Sequence, residues 1–213
     1  MSSREGFDIE QAEIRASGGR FGGGWGPVDF GTYVPRLIEF LVTAFPIRNV
    51  LDLGCGYGGS LRLFRAMGCN VVGIEAMHYY AYKANVPVIV HDLEAAPLKL
   101  ANIDLVFSVE AVEHIANTAN TLDTLANGKV VCFSCALPGQ IGHHHVSCLP
   151  QEFWIEGMRA RGYEWEEELS QRCRDFGGGY FGQGGMLFVR KSERLAMGLA
   201  QGEYKSADSV YKG

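Results

Sequence analysis

Between residues 49 and 137 the sequence alternates short apolar stretches with segments of helical periodicity, and this alternation restricts the folds open to the chain. The apolar stretches predict five strands, "NVLDLG", "NVVGIEA", "VPVIVHD", "IDLVFSV" and "KVVCFSCAL". Strands that are apolar throughout are buried on both faces, which is typical of a parallel sheet covered by helices. We therefore expect an α/β fold with a doubly wound, mostly parallel sheet.

The segments on either side extend this pattern. The stretch "DFGTYVPRLIEFLVTAFP" has apolar residues at helical spacing and Pro35 in its first turn, so it predicts an amphipathic helix. A second helix is predicted over "PQEFWIEGMRARGY". The last two strands, "YEWEEELS" and "GMLFVRK", are separated by the glycine-rich "DFGGGYFGQG", which favours an antiparallel pair at one edge of the sheet. Residues 1–27 are so rich in glycine that neither a helix nor a central strand is expected there.

Length and composition fit one domain with a substantial core. The chain has 213 residues, of which 47% are hydrophobic, and a formal net charge of −5. We divide it into residues 1–48, a glycine-rich loop and helix that cap the domain, residues 49–191, the domain proper, and residues 192–213, a polar tail. No apolar run has the length of a membrane span, and no basic-then-apolar signal follows Met1, so a cytoplasmic protein without a membrane partner is expected. The acidic balance argues against a broad nucleic-acid surface.

The six cysteines do not suggest a disulfide framework in a chain of this length. Cys132 and Cys135 form a C-x-x-C inside the fifth predicted strand. Side chains three positions apart on a strand point to opposite faces, so this pair is a poor chelate. Buried, reduced thiols are expected.

A glycine-rich turn follows the first predicted strand in "VLDLGCGYGGS", where Gly54, Gly56 and Gly59 have the G-x-G-x-x-G spacing. Such a turn suits either a dinucleotide or S-adenosylmethionine (SAM), and a carboxylate at the end of the second strand, Glu75, would accept ribose hydroxyls of both. Asp52 distinguishes them, because a carboxylate inside an apolar strand is stabilised by a cationic ligand and repels a pyrophosphate. No residues are left for the substrate domain of a dehydrogenase. The sequence favours SAM.

Four motifs in order, "VLDLGCGYGG", "VVGIEA", "HDLEAAP" and "DLVFSVEAVEHI", resemble those of the class I SAM-dependent methyltransferases. The resemblance implies a Rossmann-like sheet of seven strands with an antiparallel last strand. It also implies the cofactor residues: Asp52, Gly54, Cys55 and Gly56 at the methionine part, Glu75 with Ala76 at the ribose, Asp92 and Leu93 at the adenine, and Ser108 at the mouth of the fourth strand.

The expected activity is methyl transfer to a small-molecule acceptor, with a hydroxyl oxygen favoured and an amine next. A histidine can remove the acceptor's proton because its ordinary pKa lies near neutrality. The candidates are His114, His143 and His145, and the latter two share a direction if "GHHHVS" is extended. A SAM-binding protein without catalysis is the alternative from another class.

A second arrangement of the same residues is a metal site. Glu110, Glu113 and His114 would share one face of a predicted helix, and a loop histidine could join them. This set resembles the metal site of the small-RNA 3′-end 2′-O-methyltransferases, so an RNA acceptor and a metal requirement stay open. The alternative for these side chains is a solvated helix end.

Aromatic and basic residues in the glycine-rich loops have two interpretations. Phe21 and Trp25 in the first loop, and Tyr180 and Phe181 in the last, could close over the cofactor or pack on the sheet edge. Arg20 could meet the SAM carboxylate, although a solvated side chain is the simpler expectation.

Overall fold

A computed structural model describes residues 3–20 and 31–199. Seven strands form one sheet: β1 (Asn49–Leu53), β2 (Asn70–Glu75), β3 (Val88–Val90), β4 (Ile103–Ser108), β5 (Gly128–Phe133), β6 (Tyr163–Trp165) and β7 (Met186–Arg190). Their spatial order is β3-β2-β1-β4-β5-β7-β6. β7 runs antiparallel to both of its neighbours, β5 and β6, and the pairs among β1 to β5 are parallel. The predicted Rossmann-like sheet with an antiparallel last strand is confirmed.

Helices cover both faces of this sheet. They are α1 (Ser3–Ala16), α2 (Pro35–Ala44), α3 (Gly59–Ala66), α4 (His78–Lys83), α5 (Thr118–Leu125), α6 (Gln151–Ala160), α7 (Glu167–Gly177) and α8 (Phe181–Gly184), with single 3-10 turns at Val112–His114 and Lys191–Glu193. None of these helices is both long and apolar enough to cross a membrane.

Two apolar cores lie on the opposite faces of the sheet. One joins α2, α3 and α7, and the other joins α5 and α6. Alternate residues of β5 enter each core: Cys132 lies in the first, and Val131 and Phe133 lie in the second. Cys135, just beyond β5, also lies in the second core, so the predicted separation of Cys132 and Cys135 is confirmed, and both are free, buried thiols.

Two local predictions are wrong. Residues 3–16 form α1 although the segment was expected to hold no helix, because the closely spaced glycines that argued against a helix begin only at Gly18, and Gly6 is the single glycine inside α1. Between the last two strands the chain forms α7 and α8, so the strand predicted over "YEWEEELS" ends at Trp165. The leucine and cysteine of α7, Leu169 and Cys173, are four apart, which gives this segment a helical apolar face.

Candidate active site

A cavity of about 690 Å³ opens at the carboxyl ends of β1, β2 and β4. This is the edge at which open α/β sheets bind ligands, because the loops there diverge to either side. Its wall includes Leu53 at the end of β1, Glu75 at the end of β2 and Glu110 after β4.

The glycine turn after β1 forms one side of the cavity. The main-chain N–H groups of Gly54 and Cys55 both donate to the carbonyl of Ile74, at 3.0 Å, which fastens the turn to the end of β2. Gly54 has a φ of +71°, and a Cβ there would lie 2.4 Å from the Cβ of Ala111. The turn therefore needs glycine at position 54 for both conformation and space.

Glu75 is held by main-chain donors at the cavity wall. Its Oε2 accepts the N–H of Gly56 at 2.9 Å, and its Oε1 accepts the N–H of Met77 at 3.0 Å. Burial raises the pKa of this carboxyl in spite of those donors. Each oxygen has a further lone pair, so the carboxylate can still accept the two hydroxyls of a ribose.

Six of the nine predicted cofactor residues line this cavity: Gly54, Gly56, Glu75, Ala76, Asp92 and Leu93. Three do not, namely Asp52, Cys55 and Ser108. Side chains alternate along a strand, so when Leu53 faces the cavity its neighbour Asp52 faces away. Ser108 is fully buried and its hydroxyl donates to the carbonyl of Leu53 at 2.8 Å.

The side chains of Asp52 and Cys55 therefore lie behind the cavity wall. Desolvation, with a smaller effect of Glu75, raises the pKa of Asp52 well above its ordinary value. The sulfur of Cys55 packs so closely against Gly73 that a Cβ at position 73 would lie 2.3 Å from it. The sequence assigns these three residues to cofactor binding, with Ser108 at the mouth of the fourth strand; Ser108 is the last residue of β4, and the side chains of Asp52 and Cys55 lie behind the turn.

At the adenine side expected from the sequence, Asp92 pairs with Arg20. The guanidinium Nη2 lies 2.9 Å from Oδ2 of Asp92, and the N–H of Glu94 donates to Oδ1 at 3.0 Å. Desolvation would raise the pKa of Asp92, but the Arg20 hydrogen bond and these other partners lower it overall. The Arg20 guanidinium is therefore paired with Asp92 instead of being only solvated, and a carboxylate ligand would have to share it with Asp92.

The segment that carries Arg20 crosses the cavity mouth. Oε2 of Glu13, in α1, accepts the N–H of Tyr79 at 3.0 Å, and Glu10 accepts the hydroxyl of Tyr80 at 2.9 Å. On the other side, the carbonyl of Gly19 lies 2.9 Å from Nε2 of His143. The N-terminal helix is therefore tied to one wall of the cavity, and the residues that follow it are tied to the other.

The far end of the cavity contains the acidic residues and histidines predicted from the sequence. Glu110, Glu113, His114, His143 and His145 all line it. The first three do not share a helix face as predicted. The φ of Glu110 is +52°, a 3-10 turn follows, and α5 begins only at Thr118.

Glu113 is the most deeply buried of this group. It has no solvent-exposed surface, and neither carboxylate oxygen has a hydrogen-bond partner among the described residues. Desolvation and then the charge of Glu110 raise its pKa to about 8. Its main-chain carbonyl accepts the N–H groups of Val146 and Ser147, at 2.9 and 3.0 Å, which draws the histidine loop against the 3-10 turn.

This main-chain contact brings two imidazoles together. The ring centroids of His114 and His145 are 5.0 Å apart with an interplanar angle of 78°. Burial, and then the neighbouring His145, lower the pKa of His114 to about 4, so its ring is neutral at neutral pH. His144, with a φ of +49°, does not line the described wall.

The aromatic residues of the two glycine-rich loops differ in their positions. Tyr180 lines the cavity, but Phe181 is fully buried in the core beneath it, so Phe181 does not close over the mouth. Phe21 and Trp25 lie outside the described residues.

Other wall residues were not singled out from the sequence: Thr32, Met77, Tyr80, His91 and Ile141. Met77 follows Glu75 closely and could have been found by position, whereas Thr32 and Ile141 lie in loops that carry no such signal.

The sheet order, the glycine turn and the carboxylate at the end of β2 define a protein of the Rossmann-like methyltransferase fold. Residues 29–138 match the family model described as "Methyltransferase domain", which covers just over half of the chain. The chain belongs to this family and is a SAM-dependent methyltransferase. No curated protein matches it closely enough to count as a relative.

Solved methyltransferase structures share its fold. The sugar N-methyltransferase KedS8 from Streptoalloteichus sp. ATCC 53650 superposes with a TM-score of 0.58 at 17% identity, covering 84% of this chain and 92% of that one. The plantazolicin methyltransferase BpumL, solved with a pentazolic substrate analogue and S-adenosylhomocysteine, gives 0.56 at 12%, covering 86% and 90%. A SAM-dependent methyltransferase from Mesorhizobium loti gives 0.52 at 17%, covering 73% and 94%.

Proposed function

We propose that the chain binds SAM in the cavity at the ends of β1 and β2 and methylates a hydroxyl oxygen of a small molecule. The observation that carries this proposal is the continuity of the cavity: Glu75 and Asp92 line one part, and His114, His143 and His145 line another. Cofactor and acceptor sites that share one cavity allow direct transfer between bound partners.

The cofactor part fits SAM in its donors and acceptors. Glu75 offers two carboxylate oxygens already oriented by the N–H groups of Gly56 and Met77. Asp92 presents a carboxylate of lowered pKa to the adenine side. Asp52 lies behind the turn, where burial raises its pKa, and a cationic methionine part bound nearby would favour its ionised form. When bound, SAM supplies an activated methyl group, whose transfer breaks the bond to sulfur and leaves the electron pair on that sulfur.

The acceptor part supplies a proton acceptor and an apolar surface. His143 is the most exposed of the three histidines in the wall. A proton on its Nε2, 2.9 Å from the Gly19 carbonyl, leaves the Nδ1 lone pair for the acceptor hydroxyl. Ile141 and Tyr180 stand exposed beside it and suit an apolar part of the acceptor.

A small molecule is favoured over a polymer by the cavity volume of about 690 Å³ and the net charge of −5. Two fold relatives act on small molecules by name, the sugar N-methyltransferase and the plantazolicin methyltransferase, which supports this class. An amine acceptor is the second candidate, because the two oxygens of the buried Glu113 in the same wall have no hydrogen-bond partner among the described residues and could accept an amine N–H.

The test combines SAM binding with turnover. Calorimetry on the full chain is expected to show one SAM site, and a panel of hydroxyl and amine acceptors should release S-adenosylhomocysteine. The panel includes a short single-stranded RNA. Absence of SAM binding overturns the proposal, binding without turnover on any acceptor supports the non-catalytic alternative, and RNA as the sole acceptor overturns the small-molecule assignment.

A further inference from the structure

We propose that Glu113, His114 and His145 form a binding site for a divalent transition-metal ion such as Zn²⁺ in the acceptor part of the cavity. One carboxylate oxygen and one ring nitrogen from each histidine all lie within 4.8 Å of one another. Two ligands of one ion with bonds of about 2.1 Å are at most ~4.2 Å apart, so small side-chain rotations complete the site.

The burial of Glu113 is a second, independent observation. This side chain is fully buried, and both of its oxygens lack a hydrogen-bond partner among the described residues. A buried carboxylate without a partner is costly, and such groups are normally paired or bound to a metal. The two histidines beside it are the ligands that such an ion requires.

Main-chain hydrogen bonds hold together the two segments that carry the three ligands. The carbonyl of Glu113 accepts hydrogen bonds from Val146 and Ser147, which fixes the histidine loop against the turn that carries His114. Gly142 completes this fit, because a Cβ there would lie 2.1 Å from Nε2 of His145. Any side chain at position 142 must displace the His145 ring.

The ligand types indicate the class of ion. Two imidazoles with one carboxylate suit zinc and its first-row neighbours, whereas magnesium and calcium prefer oxygen ligands. Three protein ligands leave at least one position open, and these side chains line the cavity, so that position faces the bound acceptor.

This inference deepens the proposed function and rests on it for the role of the ion. An ion held there would make an acceptor hydroxyl more acidic, and His143 would accept the proton of that hydroxyl. Glu110, whose Oε1 accepts the Ser134 hydroxyl at 2.9 Å, is held beside Glu113 and adds negative charge to the site.

The direct test is metal binding by chelator-treated, full-length protein without substrate. Zn²⁺ titration by calorimetry, and Co²⁺ titration followed by visible absorption, are expected to show one ion per chain. Glu113→Gln, His114→Asn and His145→Asn should each weaken binding at least tenfold. Gly142→Ala should weaken it as well without changing a ligand, while the matched control His144→Asn leaves it unchanged, since asparagine tolerates positive φ.

Each outcome has one meaning. The site is absent if wild-type protein binds no ion, or if His144→Asn weakens binding as much as His145→Asn does. SAM affinity of the metal-free protein is measured in parallel, with thermal unfolding as a check that each variant is folded. If the protein binds SAM but no metal ion, this inference is wrong and the proposed function stands. If it binds a metal ion but no SAM, the metal site stands and the proposed function is wrong.

Discussion

The carboxylate of Glu75 accepts the main-chain N–H of Gly56 at 2.9 Å, so the residue proposed to bind the ribose also holds the glycine turn. Glu75 thereby fixes the proposed ribose-binding part of the site relative to the glycine turn. Its removal must affect ligand affinity and the local fold together, and a test has to separate these effects.

Glu75→Ala is expected to weaken SAM binding by about 1.5–3 kcal/mol, about ten- to a hundredfold, because charge-assisted bonds to two hydroxyls are lost. Calorimetry well below the unfolding temperature measures this loss, and circular dichroism confirms the fold. Glu39→Ala on the exposed face of α2 is the control. Equal affinities of the Glu75 and Glu39 variants would contradict the assignment.

Gly54→Ala is expected to destabilise the protein more than Gly56→Ala does. Both positions have positive φ, of +71° and +50°, so each alanine costs about 1–2 kcal/mol in backbone strain. At position 54 the new Cβ also meets Ala111 at 2.4 Å, which adds about 1–3 kcal/mol, whereas at position 56 nothing lies within 4 Å. Urea unfolding measures the difference. If Gly56→Ala is equally damaging, close packing at position 54 is not what restricts the turn.

Asp104 should make stability depend on pH. Its carboxylate accepts the N–H groups of Arg48 and Asn49 and pairs with Lys129 at 2.9 Å. Desolvation would raise the pKa of Asp104, but the Lys129 hydrogen bond and these N–H donors lower it below the ordinary 3.8. The stabilisation is therefore complete above about pH 5 and is lost as the pH falls through the folded-state pKa.

Asp104→Asn is accordingly expected to lower the free energy of unfolding by about 1–3 kcal/mol at pH 7. The gap to wild type should begin to shrink near pH 4, where the carboxylate becomes protonated in the unfolded chain, and should shrink further as the pH falls through the lowered folded-state pKa. Denaturant unfolding from pH 7 to pH 3 follows both proteins, with the exposed Asp175→Asn as control. A gap that stays constant over this range would mean that the ionised form is not what stabilises the fold.

His143→Asn is expected to lower turnover about a hundredfold while SAM affinity changes less than twofold, because the ring acts on the acceptor. Turnover on the best acceptor and calorimetry with SAM provide the two readouts. His78→Asn, on the exposed surface of α4, should leave turnover intact. Wild-type turnover in the His143 variant would remove this residue from the reaction.

The central sheet could be predicted from the sequence because its apolar strands and glycine turn are local signals. The conformation around Glu110 could not, since its positive φ converts an expected helix into a 3-10 turn. The pairing of Arg20 with Asp92 joins residues 72 positions apart, and no periodicity reports such a contact. The helix α1 was missed because the glycines that follow it dominate the composition of the segment.

The alternation of side chains along a strand explains why Asp52 does not line the cavity. Asp52 and Ser108 belong to strands whose motif positions were assigned by resemblance, without regard to which face each side chain takes. Neither residue lines the cavity, whereas Leu53 does, and its carbonyl accepts the hydroxyl of Ser108. Motif order thus predicts the region of a site better than the direction of its side chains.

The position of β7 between β5 and β6 has a consequence for synthesis on the ribosome. β6 is made before β7, yet it reaches the sheet only through pairing with residues 186–190. Until those residues emerge, the outer edge of β5 is an unpaired apolar strand, the kind of edge that recruits other chains. A nascent chain that stalls before Met186 therefore lacks the strand that completes its sheet, and the apolar edge of β5 stays open to other chains during that interval.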